Sequence, residues 1–260
     1  MKAGNRMKDS FPLKLLTSPA EAFSELASGR TGWGWPLLLF ASATACAALL
    51  CALLPPEFTA EALEGLKMDR DLGFAFYFSV SLAGGLAFSA CTAGLLSAAA
   101  RFLSGGRLSL RLPAALLACA SLGITSAFMH GAAGTARAAG LAAAAAALAL
   151  SAWAAFSDRR RFAALLKSLL AVSVFTLAAS LAGGAAALAG SVTAYTAIEY
   201  LSALLSLVWL GKAAAAIYAA GTARSFASAV LGLLGGMAVL FLLYNLGFIP
   251  EDAFQALMLI

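Results

Sequence analysis

Apolar runs long enough to cross a bilayer recur along this chain, each closed by proline, glycine or a knot of charge. They occupy residues 37–54, 72–103, 112–129, 138–156, 162–189, 193–220 and 226–248. A membrane-spanning helix needs about 20 mostly apolar residues. Inside hydrocarbon, a helix satisfies its own backbone groups, so these runs predict helices. The fold expected is all-α: a polytopic transmembrane helix bundle of about seven spans, with five to seven open. The count stays open because 72–103 is long for one span and 138–156 is so rich in alanine, a marginal driver of insertion, that full insertion is unsettled. A chain that is 62% hydrophobic and only 11% charged lies far from soluble domains of ordinary composition.

The membrane domain spans residues 33–249, with a tail at 1–32 and another, acidic, at 250–260. In the first tail, Ser18, Pro19 and Glu21 predict a helix start: a hydroxyl cap, a proline in the first turn and a carboxylate reaching back. Gly29 predicts its stop. Ala22, Phe23, Leu26 and Ala27 fall on one face, and Glu21, Ser24, Glu25 and Ser28 on the other. Such a short amphipathic helix either lies in the headgroup region, beside Lys2, Arg6, Lys8 and Lys14, or packs on the membrane domain. Trp33 and Trp35 then stand where an interfacial aromatic belt would hold them, and Pro36 suits a first helical turn. The first apolar run is too long and too far from Met1 for a cleaved signal peptide.

Between the first two spans, Glu57, Glu61, Glu64, Asp69 and Asp71 form an exposed acidic loop with a short helix over 59–66. Arg101, Gly105, Gly106, Arg107 and Arg111 make a basic loop, with Pro113 opening the next span. Residues 130–134 read as a turn, and 158–161 as a charged boundary. With the N-terminus inside, every basic residue except Lys67, Arg70 and Arg137 falls on the inner side, while most acids fall outside. That asymmetry is the positive-inside pattern. It accounts for the net charge of +5 without nucleic acid, because the basic residues are spread over separate short loops with no recognition motif.

Few residues carry chemistry. Cys46, Cys51, Cys91 and Cys119 all lie inside apolar runs, as small buried or lipid-facing side chains. With one histidine, His130, at a span's end, no metal site or other cofactor is expected. Lys212 stands well inside the sixth run, costly unless it snorkels, pairs or meets water. Glu199 lies on roughly the same face, about 20 Å up the helix, too far to pair with it; Arg137 is the candidate partner at that end. Arg107 and Arg111, beside Gly105 and Gly106, suit either an ordinary basic turn or a lipid headgroup. The glycine pairs 84/85, 183/184 and 235/236 permit close helix packing. Neither a Gly-x-Ser-x-Gly nor a His-Glu-x-x-His pattern is present.

The order Ser18-Pro19-Ala20-Glu21-Ala22-Phe23, then Trp33-x-Trp35-Pro36, a span, a polar loop, a long span and Gly105-Gly106-Arg107-Leu108-Ser109 resembles the bacterial type of the Yip (Ypt-interacting protein) domain family. Trp209, followed by Gly221-Thr222-Ala223-Arg224-Ser225-Phe226, is similar as well. The resemblance covers roughly residues 11–130 and 198–248. It implies five spans, a cytosolic N-terminus and a C-terminus across the membrane, so residues 134–190 would be an added hairpin, unless 138–170 is the matching pair. It also implies a role in membrane organisation, with eukaryotic members contacting small GTPases, and it supplies no catalytic residues.

The expectation is therefore a non-enzymatic protein of a bacterial inner membrane, its partners the lipid bilayer, other membrane proteins or further copies of itself. The alternative is a small transporter or permease subunit with Lys212 in the pathway.

Overall fold

Seven helices long and apolar enough to cross a membrane are present among the described residues of the computed structural model, which are 11–62 and 70–258. The protein is an integral multi-pass helix bundle. Lys2, Arg6, Lys8, Glu64, Lys67 and Asp69 lie outside the described residues.

Among the described residues, two short helices precede the spans. Helix α1 (Phe11–Thr17) and α2 (Pro19–Ala27) form a hairpin closed by Lys14 Nζ on Glu25 Oε1 at 3.0 Å. The expected cap at Ser18 is corrected: its hydroxyl makes no capping bond, and its carbonyl instead receives the Glu21 and Ala22 amides. The stop at Gly29 holds, for Gly29 sits at φ +77° while the Arg30 amide reaches Glu25 and the Gly29 amide reaches Leu26. These two bonds satisfy the terminal carbonyls in a Schellman turn. The apolar face of α2 is turned inward at Ala22, Phe23 and Leu26, which join Leu15, Leu39, Ala171, Phe175 and Ala213 in one core cluster, while Ala27, expected on the same face, is exposed.

The spans are α3 (Gly34–Leu53), α5 (Gly73–Ser104), α6 (Leu108–Ala127), α7 (Gly134–Ser157), α8 (Arg159–Leu188), α9 (Val192–Tyr218) and α10 (Thr222–Asn245). Between α3 and α5, α4 (Pro56–Ala62) and a single 3-10 turn (Arg70–Leu72) carry the acidic loop; the remainder of the helix expected over 59–66 lies outside the described residues. The alanine-rich stretch forms a complete helix of 24 residues, α7. The opening of α6 is corrected, since it begins at Leu108, leaving Pro113 inside its second turn. A proline there cannot donate the intrahelical bond to the Ser109 carbonyl, a cost that first-turn positions do not carry.

Packing divides the bundle. Helix α8 lies against α3 and α9, and α10 lies against α5, α6 and α9. Helix α5 crosses α7 where a Cβ on Gly94 would stand 2.7 Å from the Ser151 carbonyl oxygen. It crosses α10 where a Cβ on Gly232 would stand 2.8 Å from Leu96 Cα. Helix α6 leans mainly on α10 and scarcely touches α5 or α7. The acidic tail folds back as α11 (Glu251–Leu257), with Phe254 stacked on Tyr244 at 4.2 Å and Leu257 seated on Gly84.

Candidate functional site

The alternation of spans, together with contacts between them, gathers the basic segments at one end of the bundle. Asp158 is the hub. Its carboxylate accepts the Arg161 amide at 3.2 Å, capping α8, and lies 3.7 Å from Arg101 and 3.5 Å from Arg161. Arg101 also stands over the Trp153 ring and Arg161 over that of Tyr218, whose hydroxyl bonds Ser97. Lys167 Nζ donates to the Thr31 carbonyl at 2.9 Å and sits over Trp33, tying α8 to the turn before α3.

The Gly105-Gly106 turn is held from two sides. Arg111 donates to the Phe102 carbonyl and covers the Phe102 ring, filling the space a Cβ on either glycine would need. Arg224, from the start of α10, donates to Ser104 O at 3.3 Å and Gly106 O at 2.9 Å. The Phe102 and Ser104 carbonyls belong to the last turn of α5, where orphan acceptors need donors, and Gly106 lies just beyond it. Arg111 is thus committed to the turn itself. Arg107, on the next residue, is exposed, and no partner for its side chain is seen among the described residues; the same holds for Arg160.

Lys212 is exposed on the flank of α9, its ammonium 4.3 Å from the centre of the Trp209 ring. By the helical rise it lies about 9 Å from the end of α9, beside the α1–α2 hairpin, where a long side chain can reach the headgroups. Glu199 is half-buried near the opposite end, with its carboxylate against Gly183 and Tyr195. Lys212 and Glu199 are therefore not brought together. The suggested pairing of Glu199 with Arg137 is corrected, because the Arg137 guanidinium turns to the Leu246 carbonyl at 3.4 Å. His130 is exposed in its turn, and the four cysteines are free.

One large cavity opens beside this end. It measures about 750 Å³ and lies between α5, α6, α7 and α10. Its walls are almost wholly apolar, with Arg101, Phe102 and Trp153 at the basic end; Lys212 is not among its lining residues. Sequence reasoning missed it, as it missed the roles of Arg101, Asp158 and Arg224. The signal available was the alanine content of the sixth and seventh helices, which alone does not say where small side chains face one another. No family model, curated protein or solved structure matches the chain.

Proposed function

We propose that this integral membrane protein works without catalysis, organising membrane or recruiting partners through the basic end of its bundle, as the resemblance to Yip-type proteins implies. The bundle would sit in a bacterial inner membrane with that end in the cytoplasm, in accord with the positive-inside pattern. The observation that carries this reading is the contrast within the basic end. Arg101, Arg111, Arg161, Lys167 and Arg224 make internal contacts that hold the loops in place, whereas Arg107 and Arg160 extend from the resulting platform. Exposed cations on a preorganised surface favour an acidic partner, since little ordering entropy is lost on docking.

The test is crosslinking in intact cells followed by purification of the tagged full-length chain. A stoichiometric partner is expected with the wild type and is lost when Arg107→Glu and Arg160→Glu are combined. A chain that comes alone, or a purified protein that turns over a substrate or passes a solute, contradicts the proposal.

A further inference from the structure

We propose that the cavity between α5, α6, α7 and α10 is a binding site for one phospholipid of the surrounding membrane, with an acyl chain in the cavity and an anionic headgroup at Arg101.

The cavity exists because of which side chains meet there. Helices α5, α7 and α10 are drawn together at Gly94 and Gly232, while α6 is held mainly by α10. Across the remaining gap, Ala114 and Ala118 of α6 face Ala98 of α5 and Ala146 and Ala147 of α7, and methyl groups are too short to close it. Its volume, about 750 Å³, lies within the range of roughly 300–1,000 Å³ typical of ligand sites. Ala114, Ala118, Ala146 and Leu150 line the cavity yet are exposed. It therefore opens sideways, between two helices that hardly touch, at the depth of the hydrocarbon.

What fills it follows from chemistry. Water is a poor occupant, because a bound water needs two to four polar partners. Apart from Arg101, the lining side chains with a hydrogen-bonding group are Cys119, Ser121, Thr125 and Trp153; the Ser121 hydroxyl already bonds the Ala118 carbonyl at 2.9 Å, the Cys119 thiol is a weak donor, and the Trp153 indole stands at the basic end under Arg101. An apolar chain supplies the dispersion contacts the walls otherwise lack. The hydrocarbon solvent presents such chains at the opening.

Charge selects the headgroup. The guanidiniums of Arg101 and Arg161 share the single carboxylate of Asp158. Arg111, stacked on Phe102, adds a further positive charge at the cavity's end. The basic end is thus left with an excess of positive charge where a phosphate would lie, with the Trp153 indole flanking it. Basic pockets between membrane helices on the positive side are recognised sites for anionic lipid. The site stands on different residues from the recruitment surface, so either can fail without the other.

The experiment is native mass spectrometry of the full-length protein released from vesicles of equal parts phosphatidylglycerol and phosphatidylcholine. Wild type is expected to retain one phosphatidylglycerol, favoured over phosphatidylcholine by roughly five-fold or more, the effect of one well-placed guanidinium near the surface. Ala118→Leu and Ala147→Leu push new side chains into the cavity from opposite walls, away from the basic turn. Both are expected to elute as folded protein and to lose the retained lipid. Arg101→Gln is expected to keep a lipid while losing the headgroup preference. Equal retention by wild type and the two leucine variants overturns the site. Equal retention of both lipids by wild type overturns the headgroup assignment. A wild-type dimer without lipid, turned into monomer by Ala118→Leu, overturns the proposal in favour of a second copy of the chain in the cavity.

Discussion

The indole Nε1 of Trp209 donates to the carbonyl oxygen of Leu15 at 3.0 Å, joining the sixth span to helix α1. The bond has a cause in the sequence. In a continuous helix the Leu15 carbonyl would accept the amide of residue 19, but that residue is Pro19, which has no N–H. Proline thus breaks α1 from α2, and the orphaned acceptor, on a fully buried residue, takes its donor from α9. The ring that supplies it also packs edge-on against Phe175 at 5.3 Å and carries the Lys212 ammonium.

Trp209→Phe keeps an aromatic ring against Phe175 but leaves the Leu15 carbonyl without its donor. An unsatisfied buried acceptor costs about 1–3 kcal/mol. The loss falls on the hairpin rather than on the spans, so trypsin should cut faster at Lys14 in reconstituted protein while the melting temperature of the bundle barely moves. Unchanged cleavage at Lys14 would show that the tether contributes nothing.

Two glycines fix the helix crossings. A methyl at Gly94 meets the Ser151 carbonyl oxygen at 2.7 Å and Cα at 2.9 Å, and one at Gly232 meets Leu96 Cβ at 2.6 Å. Backbone cannot step aside as a flexible side chain can, so Gly94→Ala and Gly232→Ala should each destabilise by about 1–3 kcal/mol. Gly123→Ala is the control: nothing lies within 4 Å, and alanine suits a helix better, by about 0.5–1 kcal/mol. Denaturation in detergent should rank the three in that order.

Orientation has its own check. In a background with the four cysteines replaced by alanine, Arg160→Cys should react with a membrane-impermeant maleimide only after the cells are opened. Glu251→Cys, at the start of α11, should react from outside. The reverse pattern would place the basic end outside.

Arg224 and Arg107 carry the same charge in different settings. Arg224→Gln removes two charge-assisted bonds, one to the end of α5 and one to the turn after it, and should cost on the order of 1 kcal/mol, below the value for fully buried charged bonds because the site is half-exposed. Arg107→Gln should stay within about 0.5 kcal/mol of wild type, as an exposed substitution does. A thermal melt of each variant separates them.

Much of the architecture was legible in the chain, because span length and polar punctuation are set by the bilayer. Each expected run falls on one helix, and even the alanine-rich stretch at 138–156 became the continuous α7. The helix starts were less legible. Pro113 looked like a first-turn residue, but Leu108 to Leu112 are equally helical, and one missing hydrogen bond does not outweigh a turn that Arg111 and Arg224 hold in place. The amphipathic stripe of α2 revealed its buried face without revealing what covers it, since a headgroup layer and a helix pair ask for the same pattern. The glycine pairs drew notice by their doubling. Of these, Gly236 does press on the buried Thr92 hydroxyl, yet the closest backbone approaches belong to the single glycines Gly94 and Gly232. Contacts between spans, such as Arg101 with Asp158, depend on rotation about each helix axis, and spacing along one chain does not encode it.

The most direct measurement of recruitment at the basic end is photocrosslinking in living cells, with a reactive residue placed in turn at Ser24, Arg160 and Glu57. Ser24 and Arg160 are exposed at the basic end and Glu57 at the acidic one. The same stoichiometric adduct is expected from positions 24 and 160 and none from 57, and the adduct from position 24 is lost when Arg107→Glu and Arg160→Glu are combined. Adducts from position 57 alone, or none from any position in a protein that carries solute across vesicles, would contradict recruitment at that end.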